Sequence, residues 1–172
     1  LIRFARERKV FLMEAMWTRF LPAIHELKKV VDSGIIGDVR AVRADFCYNE
    51  SDKTHHVFNA QYGGGSLLDV GIYPLNFAAI FLGAEPEGVT AMCEVVNGVD
   101  EQCCILLSYQ NGAIANLTSA LTVEKPAEGY IYGSKGYIYV PEFYTAQKFT
   151  VFADGQKPAV YELPFAGNGF EE

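Results

Sequence analysis

The chain has 172 residues, half of them apolar, and a formal net charge of −7. That length and apolar content suit one core of ordinary size. An acidic balance with no basic run lacks the electrostatic footprint for nucleic acid or an anionic membrane surface, and no apolar stretch approaches the ~20 residues that span a bilayer. With no signal-peptide pattern at its start, the sequence reads as soluble and cytoplasmic, with a neutral small-molecule partner.

Residues 1–9 (LIRFARERK) are charged and helix-forming, with Leu1, Phe4 and Ala5 at helical spacing and no N-cap before them. Residues 10–13 (VFLM) form a short apolar run of the kind a buried parallel strand shows, whose partner strands are expected upstream of Leu1. Pro22 starts a helix with Ile24, Leu27 and Val31 on one stripe, His25 on its surface and Gly34 as its stop. Gly37 then releases a strand over 39–48. Polar residues 49–59 (NESDKTHHVFN) read as a long excursion loop, and three glycines at 63–65 lead into a second helix over 67–82.

From Gly88 onward, tight-turn signals divide a run of strands: Asn97-Gly98, Asn111-Gly112, Ser134-Lys135-Gly136 and Asp154-Gly155. The spacing predicts a meander of antiparallel strands over 88–96, 101–109, 113–122, 129–132, 137–140, 148–152 and 159–163. The fold class is therefore α+β, a large open, mainly antiparallel sheet with helices on one face. Both faces of the sheet are partly apolar, with Tyr130, Tyr132, Tyr137 and Tyr139 adding aromatic surface. Such a face calls for a cover: a second copy, giving a homodimer or higher, or a further segment of the same protein. Cys47, Cys93, Cys103 and Cys104 show no Cys-x-x-Cys spacing, and Cys103 and Cys104 point to opposite strand faces. All four are expected as buried free thiols. No ligand set for a metal is apparent, and His55 and His56 read as solvated histidines of the excursion loop, with a substrate-gating role as the alternative. The charged end, 169–172 (GFEE), suggests the start of a further helix.

Residues 63–73 (GGGSLLDVGIY) carry the strongest chemical signal. If they are helical from Ser66, Asp69 and Tyr73 stand four apart on one face; Pro74 allows instead that the helix begins later and leaves Asp69 outside it. One reading makes Tyr73 a proton donor and acceptor at a carbinol oxygen, with Asp69 orienting substrate. A phenol titrating near ~10 needs a nearby cation or donor for that work. The other reading makes Ser66 and Asp69 a capping box and Tyr73 a core residue. No Gly-x-Gly-x-x-Gly follows a strand, so Gly63–Gly65 lacks the context to bind pyrophosphate; Gly64 and Gly65 would instead permit close approach of substrate or offer it backbone N–H groups.

The segment 63–73, together with 17–22 (WTRFLP) and 34–39 (GIIGDV), resembles the family of glucose-fructose oxidoreductase and inositol dehydrogenase (Gfo/Idh/MocA), nearest to its dimeric dihydrodiol dehydrogenase and xylose dehydrogenase branch. The resemblance implies a two-domain enzyme with an N-terminal Rossmann domain that binds NAD or NADP. Residues 1–16 would then be a remnant of that domain, and 17–172 the substrate-binding and dimerisation domain, shortened at its end. The family's Asp-x-Gly-x-His/Tyr motif falls on Asp69, Gly71 and Tyr73, which gives Tyr73 the proton-transfer role. The family's catalytic lysine, in a Glu-Lys-Pro motif, would lie upstream. Glu124-Lys125-Pro126 spells the same tripeptide but follows the motif instead of preceding it, and reads as a hairpin turn with a solvated lysine. Trp17 and Arg19 border the cleft and could serve a sugar ring or an aromatic diol, or else interdomain packing and a surface ion pair. His56 is a candidate substrate contact from the excursion loop. The implied activity is hydride transfer between nicotinamide and the carbinol carbon of a sugar, polyol or trans-dihydrodiol. The alternative is a non-catalytic dimerisation or sugar-sensing module.

Overall fold

The computed structural model describes residues 1–170. The expectation of a helix beginning at the charged end falls largely on Glu171 and Glu172, outside the described residues. Helix α1 (Ile2–Arg8) forms as expected but buries only Ala5. Residues 10–13 are not a strand: Val10, Phe11, Leu12 and Met13 are 51–86% exposed, and among the described residues they pair with no strand, Val10 N–H instead donating back to Ala5 O of α1. A strand needs a neighbour for its N–H and C=O groups, and none lies beside this one.

Helix α2 (Pro22–Asp32) opens with proline in its first turn, where a missing N–H costs nothing, and buries Ala23, Ile24, Leu27, Val30 and Val31. Strand β1 (Val39–Asn49) follows, and helix α3 (Ile72–Leu82) is reached through the excursion loop. Then come β2 (Gly88–Val96), β3 (Val99–Ser108), β4 (Ile114–Ala120), β5 (Thr122–Lys125), β6 (Glu128–Gly133), β7 (Gly136–Pro141), β8 (Lys148–Ala153) and β9 (Ala159–Glu162). Among the described residues these nine strands form one sheet in the order β2-β3-β4-β1-β6-β7-β8-β9, with β5 also on β1.

The sequence-based meander is thus corrected at two places. β1 is inserted between β4 and β6 and runs parallel to β4, from Ala41 opposite Ile114 to Cys47 opposite Ala120. Local turn signals describe consecutive hairpins; they carry no information about a strand supplied from far earlier in the chain. The strand expected over 113–122 also divides at Leu121. β1 serves β6 along its first half and β5 along its second, with a register shift between Cys47 and Asn49.

Helices α2 and α3 lie on one face, over a core that includes Val42, Ala44, Leu117, Ile131 and Ile138. Phe77 of α3 and Phe143 meet at 5.0 Å between ring centroids, both fully buried. Gly129 permits this closeness, since a Cβ there would stand 2.8 Å from the Phe77 ring. The opposite face has no covering layer within the described residues and exposes Met92 (80%), Ile114 (52%) and Leu106 (47%).

The cysteine expectation holds for only one residue of the four. Cys47 is a buried free thiol, pushed up to about 11 chiefly by burial, and Cys104 is free but exposed. Cys93 and Cys103, directly opposed on β2 and β3, are joined as a disulfide. Among the described residues, Ala60–Leu82 is the one helical run whose length and composition suit a membrane. It is broken into 3₁₀, π and α pieces, and the 11 residues of α3 span only about 16 Å of a hydrocarbon core about 30 Å thick.

Candidate functional site

Asp69 and Tyr73 share one continuous helical stretch. Pro74 cannot donate to the carbonyl four residues back, and its ring would crowd it; the chain responds with a π turn over Leu67–Gly71 that widens the helix before α3 begins. Asp69 is therefore inside the helix and on the face of Tyr73. The capping box is absent, because Ser66 makes no capping bond of its own. Asp100 of β3 takes that place, accepting from Leu67 N at 2.7 Å and Ser66 Oγ at 2.8 Å, with Ser66 also 2.9 Å from Ser119 Oγ. A carboxylate at a helix N-terminus is favourable for both its donors and its dipole. Asp69 is thereby released from capping, and its Oδ2 accepts a hydrogen bond from Tyr48 Oη at 3.0 Å. Burial first, and then that carboxylate, push the Tyr48 phenol above its ordinary range.

Trp17 Nε1 donates to Tyr73 Oη at 3.2 Å, joining two residues 56 positions apart. Around the phenol stand Phe46, edge-on at 5.5 Å, and Tyr144 at 6.0 Å, themselves stacked at 4.3 Å. Phe170 lies against the Trp17 indole at 4.6 Å. Arg19 donates through Nε to Asn76 Oδ1, one turn beyond Tyr73, and leaves Asn76 Nδ2 buried with no protein partner. Asp69, Tyr73 and Asn76 all line a groove of 1020 Å³ between α3 and the inner side of β2 and β3, whose other walls include Met16, Leu75, Ile105 and Leu107. The arrangement offers a proton-bearing oxygen, a carboxylate and an amide along one edge of an apolar trough.

Four of the expected site residues, Trp17, Arg19, Asp69 and Tyr73, are brought together. Gly64, Gly65 and His56 are not. The N–H groups of Gly64 and Gly65 are spent on Asn59 O at 3.0 Å and Val57 O at 2.8 Å, so they cannot serve a sugar hydroxyl. Their lack of side chains admits the chain's own atoms: a Cβ at Gly64 would stand 2.4 Å from the Val57 carbonyl oxygen, and one at Gly65 would meet the Asp100 carboxylate. His56 lies exposed outside the groove, its ring 4.4 Å from that of His55. Lys125, expected in a solvated turn, is instead on β5 with Nζ 2.8 Å from the buried Asp45 carboxylate. Tyr48, Asn76 and Asp100 were not legible in advance, since no spacing rule links positions 48 and 69, 19 and 76, or 66 and 100.

The described residues do not fit the pyrophosphate of a dinucleotide. The glycine N–H groups that could cradle it are engaged, and the nearest charge is the Asp100 carboxylate, which repels phosphate. Among the described residues no group of three His, Cys, Asp or Glu side chains gathers as a metal site.

Comparison with known proteins identifies the family. Residues 24–139 match the GFO/IDH/MocA C-terminal domain. The trans-1,2-dihydrobenzene-1,2-diol dehydrogenase of Mus musculus is 36% identical over 149 residues, covering 86% of this chain and 44% of that protein. The Homo sapiens enzyme of the same name is 38% identical over 136 residues, covering 78% and 40%. Among solved structures, KijD10, a 3-ketoreductase from Actinomadura kijaniata in complex with NADP and TDP-benzene, superposes with a TM-score of 0.84 at 28% identity, over 98% of this chain and 54% of its own. The aldose-aldose oxidoreductase of Caulobacter crescentus, complexed with glycerol, gives 0.85 at 29% identity, over 98% and 53%. The chain spans about half the length of these relatives, and by matched segment, identity and fold it belongs to the GFO/IDH/MocA family through that family's C-terminal domain.

Proposed function

We propose that residues 17–172 are the substrate-binding domain of a cytoplasmic NAD- or NADP-dependent oxidoreductase, and that residues 1–16 are the last part of a Rossmann domain that holds the cofactor. The observation that carries this reading is the Trp17–Tyr73 hydrogen bond at the groove that Asp69 also lines. Nicotinamide, when held by that upstream domain, would supply the hydride acceptor. Tyr73, as its phenolate, takes the proton from the substrate hydroxyl oxygen while hydride leaves the carbinol carbon, and as the neutral phenol it returns that proton in the reverse direction. The indole N–H at its oxygen favours the phenolate form that accepts the proton. Asp69 accepts from the neighbouring hydroxyl and so fixes which carbon is presented. The apolar walls and the Trp17, Phe46 and Tyr144 rings suit the carbon skeleton of a cyclic sugar or a trans-dihydrodiol, the substrate classes that the relatives' names suggest. The open face of the sheet, with Met92, Leu106 and Ile114 exposed, is the surface on which two copies would pair.

The test is NAD(P)-linked oxidation of aldoses and trans-dihydrodiols by the full-length protein, with Tyr73→Phe as the comparison. Tyr73→Phe is expected to lower kcat by about 100-fold or more while nicotinamide still binds. A full-length protein that neither binds nicotinamide nor turns over leaves a dimerisation or sugar-sensing module as the surviving account.

A further inference from the structure

Tyr48 stands near the end of β1, where the pairing with β5 slips by one residue between Cys47 and Asn49. It packs with Phe46 and Phe58 against a small apolar cluster of Val57, Val70 and Leu121 that underlies the excursion loop. That cluster holds the ring, and the hydroxyl reaches Asp69 Oδ2 at 3.0 Å. Among the described residues no other side chain bonds the Asp69 carboxylate, whose remaining oxygen is left for the groove.

A carboxylate terminates in a broad, roughly two-fold torsion, so an unrestrained Asp69 would present either oxygen over a wide range of directions. A donor fixed on one oxygen selects the orientation of the other. Resting on the reading of Asp69 as a substrate acceptor, we infer that Tyr48 is a positioning residue: its hydroxyl occupies one oxygen of Asp69 and aims the other at the hydroxyl beside the reacting carbon. The excursion loop thus acts on the site from behind, through Val57 of the cluster against which the Tyr48 ring packs, although none of the loop's polar groups lines the groove. Because burial and Asp69 both favour the protonated phenol, the donor persists at alkaline pH where an ordinary tyrosine begins to ionise.

The experiment uses the full-length protein with NADP⁺, a cyclic vicinal trans-diol and the matching cyclic mono-alcohol. Tyr48→Phe keeps the ring and its packing. It is expected to raise KM for the diol about tenfold, the worth of one hydrogen bond to a charged acceptor, while kcat changes less than about threefold. The effect is expected to vanish with the mono-alcohol, and to vanish in an Asp69→Asn background, where Tyr48→Phe adds nothing further. Tyr48→His, which returns a ring donor, brings KM part of the way back. Tyr48→Phe with an unaltered KM, or an equal loss with Asp69→Asn already in place, overturns the inference. Full turnover in Tyr73→Phe would sink the underlying acid–base reading, an outcome distinguishable from failure at Tyr48 alone.

Discussion

On the face of the sheet turned to α2 and α3, Val42, Ala44, Leu117, Ile131 and Ile138 are 0–1% exposed, whereas the same strands present Arg43, Asp45, Thr118, Tyr130 and Tyr139 on the other side. The first face is held by burial of hydrocarbon against a second layer. The second has no such layer among the described residues and is organised laterally. Asp45 is 4% exposed because its neighbours cover it: Lys125 Nζ at 2.8 Å and Arg43 Nη2 at 2.9 Å bind its two oxygens. The Arg43 guanidinium lies 5.8 Å over the Tyr130 ring, and aromatic contacts run on through Tyr132 and Tyr137 to Phe152. Glu128 accepts from Tyr139 at 2.8 Å and Tyr130 at 3.3 Å. Long flat side chains that satisfy one another sideways make a surface able to stand in water or meet another copy of itself.

Substitutions on the two faces should therefore fail differently. Phe77→Ala, which opens a hole where α3 meets β6, is expected to cost about 3–5 kcal/mol in chemical denaturation. A much smaller loss would mean that the helix layer can settle and that the core is less tightly set than the Gly129 contact implies. Asp45→Asn should cost about 2 kcal/mol, less than for a fully buried pair because Arg43 and Lys125 are partly in water. Burial opposes ionisation of Asp45, but hydrogen bonds from Lys125, Thr118 and Arg43 outweigh it and hold its carboxyl below the usual range. Its contribution is thus fully present above about pH 4 and is lost as pH falls through the lowered folded value, so Asp45→Asn should flatten the acid limb of the stability curve. An unchanged acid limb would show that the pair has no such role. Met92→Asp should change monomer stability by less than about 0.5 kcal/mol yet weaken self-association of the full-length protein at least tenfold in sedimentation, and unaltered association would place the interface elsewhere.

Much of the molecule was legible in its sequence for reasons that are themselves local. Asn97 and Gly98, with φ of 50° and 85°, make the tight hairpin turn that their types predict, and the strand bounds on either side follow from it. The same regularity concealed the disulfide. An unbroken two-residue hairpin would set Cys93 opposite Gln102, with Cys103 on the other face; the register shift between Glu94 and Val95 moves the partner by one residue and brings Cys103 across. A bulge of that kind has no residue signature here. At the site, Asp69 and Tyr73 were visible because four residues of helix bring side chains to one face, while the bonds from Trp17 and Tyr48 depend on tertiary placement that no periodicity encodes.

The central position of β1 has a consequence for how the sheet is assembled. β2 through β4, and β6 through β9, can pair as successive hairpins from neighbouring chain, but β1 precedes both groups and joins them: Ala41 meets Ile114, and Val39 meets Gly133. Large loops must close before either contact stabilises anything, so capture of this early strand is expected to be slower than formation of the hairpins on either side, which stopped-flow refolding of β1 variants would check. Changes that weaken β1 would then retard folding more than they hasten unfolding, and a chain caught before that capture would expose two unpaired strand edges at once.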